Sequence, residues 1–253
     1  MDRITEIASI AQKAGAWLAE MFTRNESSSA ADIASQQIIV PELQKYFPTI
    51  PILAEERMEG ASLLPSSDDT KDLPFTYWSV DPLDGSAVFD NKCSEWAVSI
   101  ALIENHRPTL GVLHFPRFEI TVQAEEGKGC WLNGKQIHVS AKRPLSEWLI
   151  GVDLCRSVED EFVVDTLLPL IRKFRYVRNF PTVASNLELL LGHTGLWITN
   201  NVRNWDLAAA AIAVQEAGGV VQQLDGQPIN WKSVRMPPII SVADKSLLAE
   251  IPS

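Results

Sequence analysis

The sequence is poor in the residues that would staple, anchor or ligate it. Its 253 residues hold three cysteines, Cys93, Cys130 and Cys155. That odd set has no CxxC spacing, which argues against a disulfide framework or a zinc knuckle and fits a reducing, cytoplasmic compartment. The four histidines, His106, His114, His138 and His193, share no spacing and read as structural or surface side chains. Positive charge is in deficit, with 22 Lys and Arg against 32 Asp and Glu for a formal charge of -10. No basic cluster offsets it, so the chain would repel a phosphate backbone and a nucleic-acid partner is excluded. Nowhere do enough apolar residues run together for a membrane span. The opening stretch "MDRITEIASIAQKAGAWLAEMF" is interrupted by charge, unlike the core of a signal peptide.

What is present is core-forming: 46% of residues are apolar, enough to fill one large α/β body or two closely joined halves. Ile4, Ile7, Ala8, Ala11, Ala14, Leu18 and Met21 recur at helical spacing and predict an amphipathic helix over 2–23. A second helix is predicted over 31–46, interrupted or kinked at Pro41. The short run "IPILAEE" reads as a strand and 57–74 as a surface loop. From 75 to 139 the strands "FTYWSV", "WAVSIALI", "PTLGVLHF", "FEITVQAE" and "KQIHVS" alternate with turns and predict an antiparallel meander. Beyond about 146 helices and strands alternate: strands at "WLIGVDL", "LWIT", "GVVQQL" and "PIISVA", and helices over 158–172, 182–192, 206–217 and at the C-terminus. The expected division is 1–145, an α+β half with an antiparallel sheet, and 146–253, an α/β half, joined in one compact body.

The chemistry concentrates in "YWSVDPLDGSAVFD". Asp81 and Asp84 end a strand, Pro82 fixes φ, and Gly85 tolerates unusual dihedrals, so the chain can bend enough for both carboxylates to converge. Convergent carboxylates repel unless a cation lies between them, and oxygen-only ligands select a hard ion such as Mg²⁺. Taken alone, D-P-L-D-G is also an ordinary turn. "ILAEE" adds Glu55 and Glu56, and "NWDLAAAAIAVQEAGG" adds Asp206 in a first helical turn, where the macrodipole alone would favour an acid.

In order and separation, "AEE", "DPLDGS" and "WDLAAAAIAVQEAGG" resemble the signature segments of the inositol monophosphatase family of Mg²⁺-dependent, often Li⁺-sensitive phosphatases. "WAVSIALIENHRPTLGVLHFP" and "GKGCWLNGKQIHVS" extend the likeness over nearly the whole chain. The resemblance implies a layered αβαβα sandwich, the fold shared with fructose-1,6-bisphosphatase, with the site between its halves. It implies two or three Mg²⁺ ions: Glu55, Asp81 and the Leu83 carbonyl at one, Asp81, Asp84 and Asp206 at a second, and Glu55 also serving a weaker third. It implies that Ser86, where the family has Thr, orients the attacking water with Asp32 of "SAAD", and that main-chain N–H groups of Gly85 and Ser86 receive phosphate oxygens. Asp32 can equally be read as a helix cap.

Two departures bear on substrate. "PTVA", Pro181 to Ala184, replaces G-[ST]-A-A and puts Val183 in the pocket wall, and Asn200 or Asn201 stands where many members carry a hydroxyl-binding Glu. Trp205 is expected to border the site. Asp84 and Asp206 are expected to face the substrate as well as metal. The expected function is hydrolysis of a small anionic phosphate ester, inositol monophosphate or a similar polyol phosphate first, by a homodimer. The alternatives are a phosphatase for 3'-phosphoadenosine 5'-phosphate, fructose 1,6-bisphosphate or histidinol phosphate, or a regulatory, partner-binding member of the fold without turnover.

Overall fold

The computed structural model describes residues 2–139 and 143–251. Helices α1 (Arg3–Thr23) and α2 (Ser28–Tyr46) pack side by side. The amphipathic face of α1 is buried as expected, with Ile10 and Gly15 added and Ile4 half-exposed. Helix α2 begins three residues earlier than the sequence suggests, because Ser27 accepts the Ala30 N–H and caps it. It runs unbroken through Pro41, which the burial of Ile39, Val40 and Leu43 around the proline explains.

Strands β1 (Ile52–Ala54), β2 (Thr76–Asp84), β3 (Ala97–Glu104), β4 (Arg107–Phe115), β5 (Ile120–Glu125), β6 (Gly129–Leu132) and β7 (Lys135–Ile137) form one sheet in sequence order. Strand β1 pairs parallel to β2, and the remaining neighbours pair antiparallel, giving the expected meander. The short strand β6 was not anticipated; two glycine-bearing turns hide it in the sequence. The last expected strand reaches only Ile137, and its Ser140 end lies outside the described residues.

A second sheet contains β8 (Leu149–Val152), β9 (Tyr176–Asn179), β10 (Thr194–Thr199), β11 (Val220–Gln223) and β12 (Ile239–Val242), in the order β11-β12-β10-β8-β9. Strand β9 was also unforeseen; its burial is only partial and shows no alternation. The helix expected over 158–172 is a π-helical turn, Phe162–Leu167, running into α4 (Leu168–Ile171). Between the sheets lie α5 (Thr182–Leu190) and α6 (Asn204–Glu216).

Both faces of the large sheet are buried, and β3 shows how. Val98, Ile100 and Leu102 join the core beneath α1 and α2, whereas Ala97, Ala101 and Ile103 join the core shared with α5 and α6. Helix α6 lies close on the sheet: a Cβ at Gly111 would come 2.8 Å from the Ala209 carbonyl oxygen, so glycine and a run of alanines are what the contact admits. A third cluster, around Trp148, Ile150 and Leu170, lies on the outer face of the second sheet. The layers are therefore helix, sheet, helix, sheet, helix, an α+β αβαβα sandwich. No helix among the described residues is long and apolar enough to cross a membrane.

A cleft of convergent carboxylates

Three segments meet at one end of the large sheet. In a regular strand Asp81 and Asp84, an odd number of positions apart, would face opposite sides. Strand β2 avoids this with an irregularity opposite β3: Asp81 pairs with Ser99 and Asp84 with Ala97, so three steps on one strand face two on the other. The motif is thus a bulged strand end rather than a free turn. Asp81 Oδ1 accepts the Leu83 N–H (2.9 Å), and the Ser35 hydroxyl donates to the Pro82 carbonyl (2.8 Å), which ties the bulge to α2. Gly85 then takes φ 95° and leads into the short helix α3 (Ser86–Asp90).

Glu55 follows β1, and its N–H donates to the Val80 carbonyl (3.3 Å). The Gln36 side chain holds the next residue from both sides, donating to the Glu56 carbonyl (2.7 Å) and accepting its N–H (3.1 Å). Asp206 comes from the first turn of α6, whose start is locked to β2: Ser79 donates to Asn204 Oδ1 (2.7 Å), and Asn204 Nδ2 donates to the Tyr77 hydroxyl (2.7 Å). One Asp206 oxygen accepts the Arg203 N–H (2.8 Å), so the helix-capping role exists, but the residue also joins the cluster.

Carboxylate oxygens of Asp32, Glu55 and Asp81 lie within 4.8 Å of one another, and so do those of Asp81, Asp84 and Asp206. Asp81 belongs to both groups. Desolvation raises all of these carboxyls, with mutual repulsion adding to it: Asp32 is pushed up to about 8 and Glu55 to about 7, while Asp81 and Asp84 stand well above the usual carboxylate range. Asp206 is raised by burial to about 6, partly relieved by its hydrogen bond from Arg203. Asp32 Oδ1 is buried with no hydrogen-bond partner. Acceptor-only groups held this close and this dry fit a divalent, oxygen-preferring cation, which relieves their repulsion.

Asp32 sits in the interior of α2, not at its cap, and Ser86 Oγ lies 3.5 Å from its Oδ2 and 3.3 Å from the Leu83 carbonyl oxygen. The cleft has a volume of about 510 Å³, and Glu55, Asp81, Leu83, Asp84, Gly85 and Ser86 line one side. From the "PTVA" segment Pro181 and Thr182 line it, whereas the Val183 side chain is fully buried in the core and its N–H donates to Asp84 Oδ2 (3.0 Å). Asn201 lines the cleft; Asn200 is turned inward, with its Oδ1 buried and unpartnered. Trp205, expected at the border, is buried in the core, because successive helix positions point about 100° apart. No histidine lines the cleft among the described residues.

Two charged lining residues were missed by sequence reasoning. Asp153 follows β8 at the far wall, accepts the Thr182 hydroxyl (3.0 Å) and is pushed by burial to about 6. Arg203 is the N-cap of α6. The available signal was weak: an acid just beyond a strand and an arginine three positions before Asp206.

Buried carboxylates from distant segments, gathered where helix and sheet layers meet, are the donor set of a divalent-metal centre. Solved structures share the architecture. The extragenic suppressor protein suhB from Bartonella henselae is 25% identical and superposes with a TM-score of 0.82 over 99% of this chain and 96% of that chain. An IMPase from Thermotoga maritima is 26% identical, with a TM-score of 0.79 over 96% of this chain and 92% of that chain. Among curated proteins, the fructose-1,6-bisphosphatase/inositol-1-monophosphatase of Thermotoga maritima is 31% identical over 202 residues, covering 79% of this chain and 72% of the relative. The chain belongs to the inositol monophosphatase family, whose sequence model matches residues 2–251. Members of this metal-dependent family are phosphomonoester hydrolases, and the chain is one by class.

Proposed function

We propose that the protein hydrolyses a small polyol or sugar phosphate monoester, with inositol monophosphate as the leading substrate, in a Mg²⁺-dependent reaction. The observation that carries the reading is the pair of carboxylate groups, sharing Asp81, each assembled within 4.8 Å and drawn together from four distant segments. In this reading Glu55, Asp81 and the Leu83 carbonyl hold one ion, Asp81, Asp84 and Asp206 a second, and Glu55 also serves a weaker third. When bound, the ions supply charge neutralisation, polarise the phosphoryl group and acidify a water. Ser86 passes its hydrogen bond to Asp32 and presents a lone pair to the attacking water, whose proton Asp32 receives. Main-chain N–H groups of Gly85 and Ser86 take phosphate oxygens, and Asn201, from the pair read in the sequence, meets a substrate hydroxyl.

The composition of the cleft supports a monophosphate over a bisphosphate. Against Glu55, Asp81, Asp84, Asp153 and Asp206, Arg203 is the sole basic lining residue among those described. With Glu55, Asp81, Asp84 and Asp206 neutralised by the bound ions in this reading, a second phosphate would meet the charge of Asp153, whereas a sugar hydroxyl would find an acceptor there. The reading includes a homodimer, a cytoplasmic setting in keeping with three unpaired cysteines, and a cleft closed between halves 1–145 and 146–253. The test is phosphate release from inositol 1-phosphate with and without Mg²⁺, beside Asp84→Asn. Activity that needs Mg²⁺ and falls about 10³-fold or more in the variant supports the reading; metal-independent turnover or an active variant ends it.

A partner-binding role has one supporting observation: a relative from Neisseria meningitidis, 30% identical over 208 residues, is called a putative Nus factor SuhB. Absence of hydrolysis across a panel of phosphate esters, alongside saturable binding to a protein, would favour it.

A further inference from the structure

Among the described residues, the one basic side chain lining the cleft is held by a carboxylate outside it. Arg203 stands three residues before Asp206, and its charge keeps Glu55 and Asp206 lower than their surroundings otherwise would. Placed among acids, a guanidinium competes with a metal ion, since it carries the same sign of charge and its planar fork prefers the same oxygens. Here the fork is engaged elsewhere. Arg203 Nε lies 2.9 Å from Asp68 Oδ1 and its Nη2 3.2 Å from Asp68 Oδ2. Asp68 Oδ2 also pairs with Arg235 Nη1 at 3.5 Å.

Asp68 belongs to the 57–74 loop, which main-chain bonds secure independently: the Leu73 N–H donates to the Lys232 carbonyl (2.8 Å) and the Val234 N–H to the Thr70 carbonyl (3.1 Å). The Arg203–Asp68 side chains are 36% and 40% exposed, so the pair adds little to stability and what it fixes is the direction of the guanidinium.

We propose that Asp68 is a positioning residue that holds the Arg203 guanidinium away from the cleft carboxylates and thereby sets their affinity for a divalent cation. The inference rests on those carboxylates being a cation site. Without Asp68, the guanidinium has the cleft acids as its nearest remaining counter-ions, and an incoming ion must displace it. Without Arg203, the cluster gains negative charge and holds the ion more tightly. The two substitutions therefore act in opposite directions, which loss of a merely structural contact would not produce.

The test is calorimetric titration of MgCl₂ into the metal-free full chain at moderate salt, with melting curves confirming that each variant is folded. Asp68→Ala is expected to weaken Mg²⁺ binding about tenfold and Arg203→Gln to tighten it about threefold. In the double variant Asp68→Ala should lose its effect, and Asp68→Glu should restore most of the wild-type affinity. If Asp68→Ala does not fold, the isosteric Asp68→Asn carries the same expectation. Two single variants shifting in the same direction, or neither shifting, overturn the proposal while leaving the cation site standing. A wild-type chain that binds no Mg²⁺ overturns both.

Discussion

Ser86 Oγ stands 3.5 Å from Asp32 Oδ2 across 54 residues of sequence. One helical turn away the same two helices meet again: Asp90 accepts the Ser28 N–H (2.7 Å) and the Ser28 hydroxyl (2.8 Å). With α2 and α3 antiparallel, these are two rungs of one contact, the Ser86 rung at the cleft and the Asp90 rung at its support. Replacing Ser86 with Ala, or Asp32 with Asn, is expected to lower kcat by about 10²–10⁴-fold with little change in KM. Ser86→Thr, which keeps the hydroxyl, should remain active. The double variant should be no worse than the weaker single one, because the two residues act as a unit. Steady-state phosphate release checks all four.

The outer rung yields a separate expectation. Asp90 does not line the cleft, yet Asp90→Ala removes both bonds that tie Ser28 at the start of α2 to α3, one turn before Asp32. A loss of about tenfold in kcat, with KM and the apparent Mg²⁺ requirement nearly unchanged, is expected from such misplacement. Asp90→Asn, able to accept one of the two bonds, should fall between. Equal kcat in all three would separate the rungs.

Metal-free stability should depend on pH in the direction opposite to most acidic proteins. Asp32 at about 8, Glu55 at about 7, and Asp153 and Asp206 at about 6 all lie above the roughly 4 of an unfolded carboxyl. Between those limits the folded chain binds more protons than the unfolded one, so these groups make stability fall as pH rises from about 4 to about 8. The metal-free melting temperature is expected to be higher near pH 6 than near pH 8.5, by roughly 5 °C. Mg²⁺ should raise it more at the higher pH, where the carboxyls have ionised. Scanning calorimetry at the two pH values, with and without the ion, decides this.

The helices, the meander and the acidic residues of the cluster are legible in the sequence because each leaves a local mark: helical periodicity in α1, alternating strands from 75 onward, and three short acidic motifs. What escaped recognition is set by tertiary placement. Strand β6 is bracketed by glycine turns and β9 is half-exposed, so neither carries a periodic signal. Asp153 and Arg203 have no neighbour in sequence that marks them, and they gain their setting only where β8 and α6 end at the same cleft. Val183 and Asn200 show the converse. They could be aligned as lining positions, but a helix and a loop turn these side chains inward, and Thr182 and Asn201 line the cleft instead.

Gly85 is a position where any side chain is strained. Its φ of 95° and ψ of 37° lie in the left-handed region, and a Cβ would come 3.0 Å from Val88 Cγ2 and 3.1 Å from both the Glu95 carbonyl oxygen and Pro181 Cγ. Gly85→Ala is expected to cost about 1–3 kcal/mol, lowering the melting temperature by roughly 2–4 °C per kcal/mol. Relief of the clash must move either α3, with Ser86, or the Pro181 segment, whose Val183 N–H holds Asp84. Activity should therefore fall further than stability alone would predict, and chemical denaturation beside kinetics at a temperature well below the transition distinguishes the two effects.

Asp153 is expected to decide which phosphate esters the cleft admits. It belongs to neither cluster of converging carboxylates, yet it lines the same cleft, is fixed by the Thr182 hydroxyl at 3.0 Å, and repels Asp84. With its carboxyl at about 6 it is ionised near neutral pH and presents a negative charge to whatever part of the substrate lies opposite the ester being cleaved. A neutral polyol can donate a hydroxyl to it, but a second phosphate is repelled. Asp153→Asn keeps the shape, retains an acceptor for Thr182 and removes the charge. KM for inositol 1-phosphate should rise a few-fold from the weaker hydrogen bond, and kcat/KM for fructose 1,6-bisphosphate should increase about tenfold as the repulsion is lifted. Because the effect depends on ionisation, the wild-type preference for the monophosphate should narrow as pH falls below about 6 by more than the variant's, whose remaining pH dependence is that of the substrates' own second phosphate ionisation. Measuring both substrates across that range separates a charge effect from a change in cleft shape, since a shape change would shift selectivity equally at every pH.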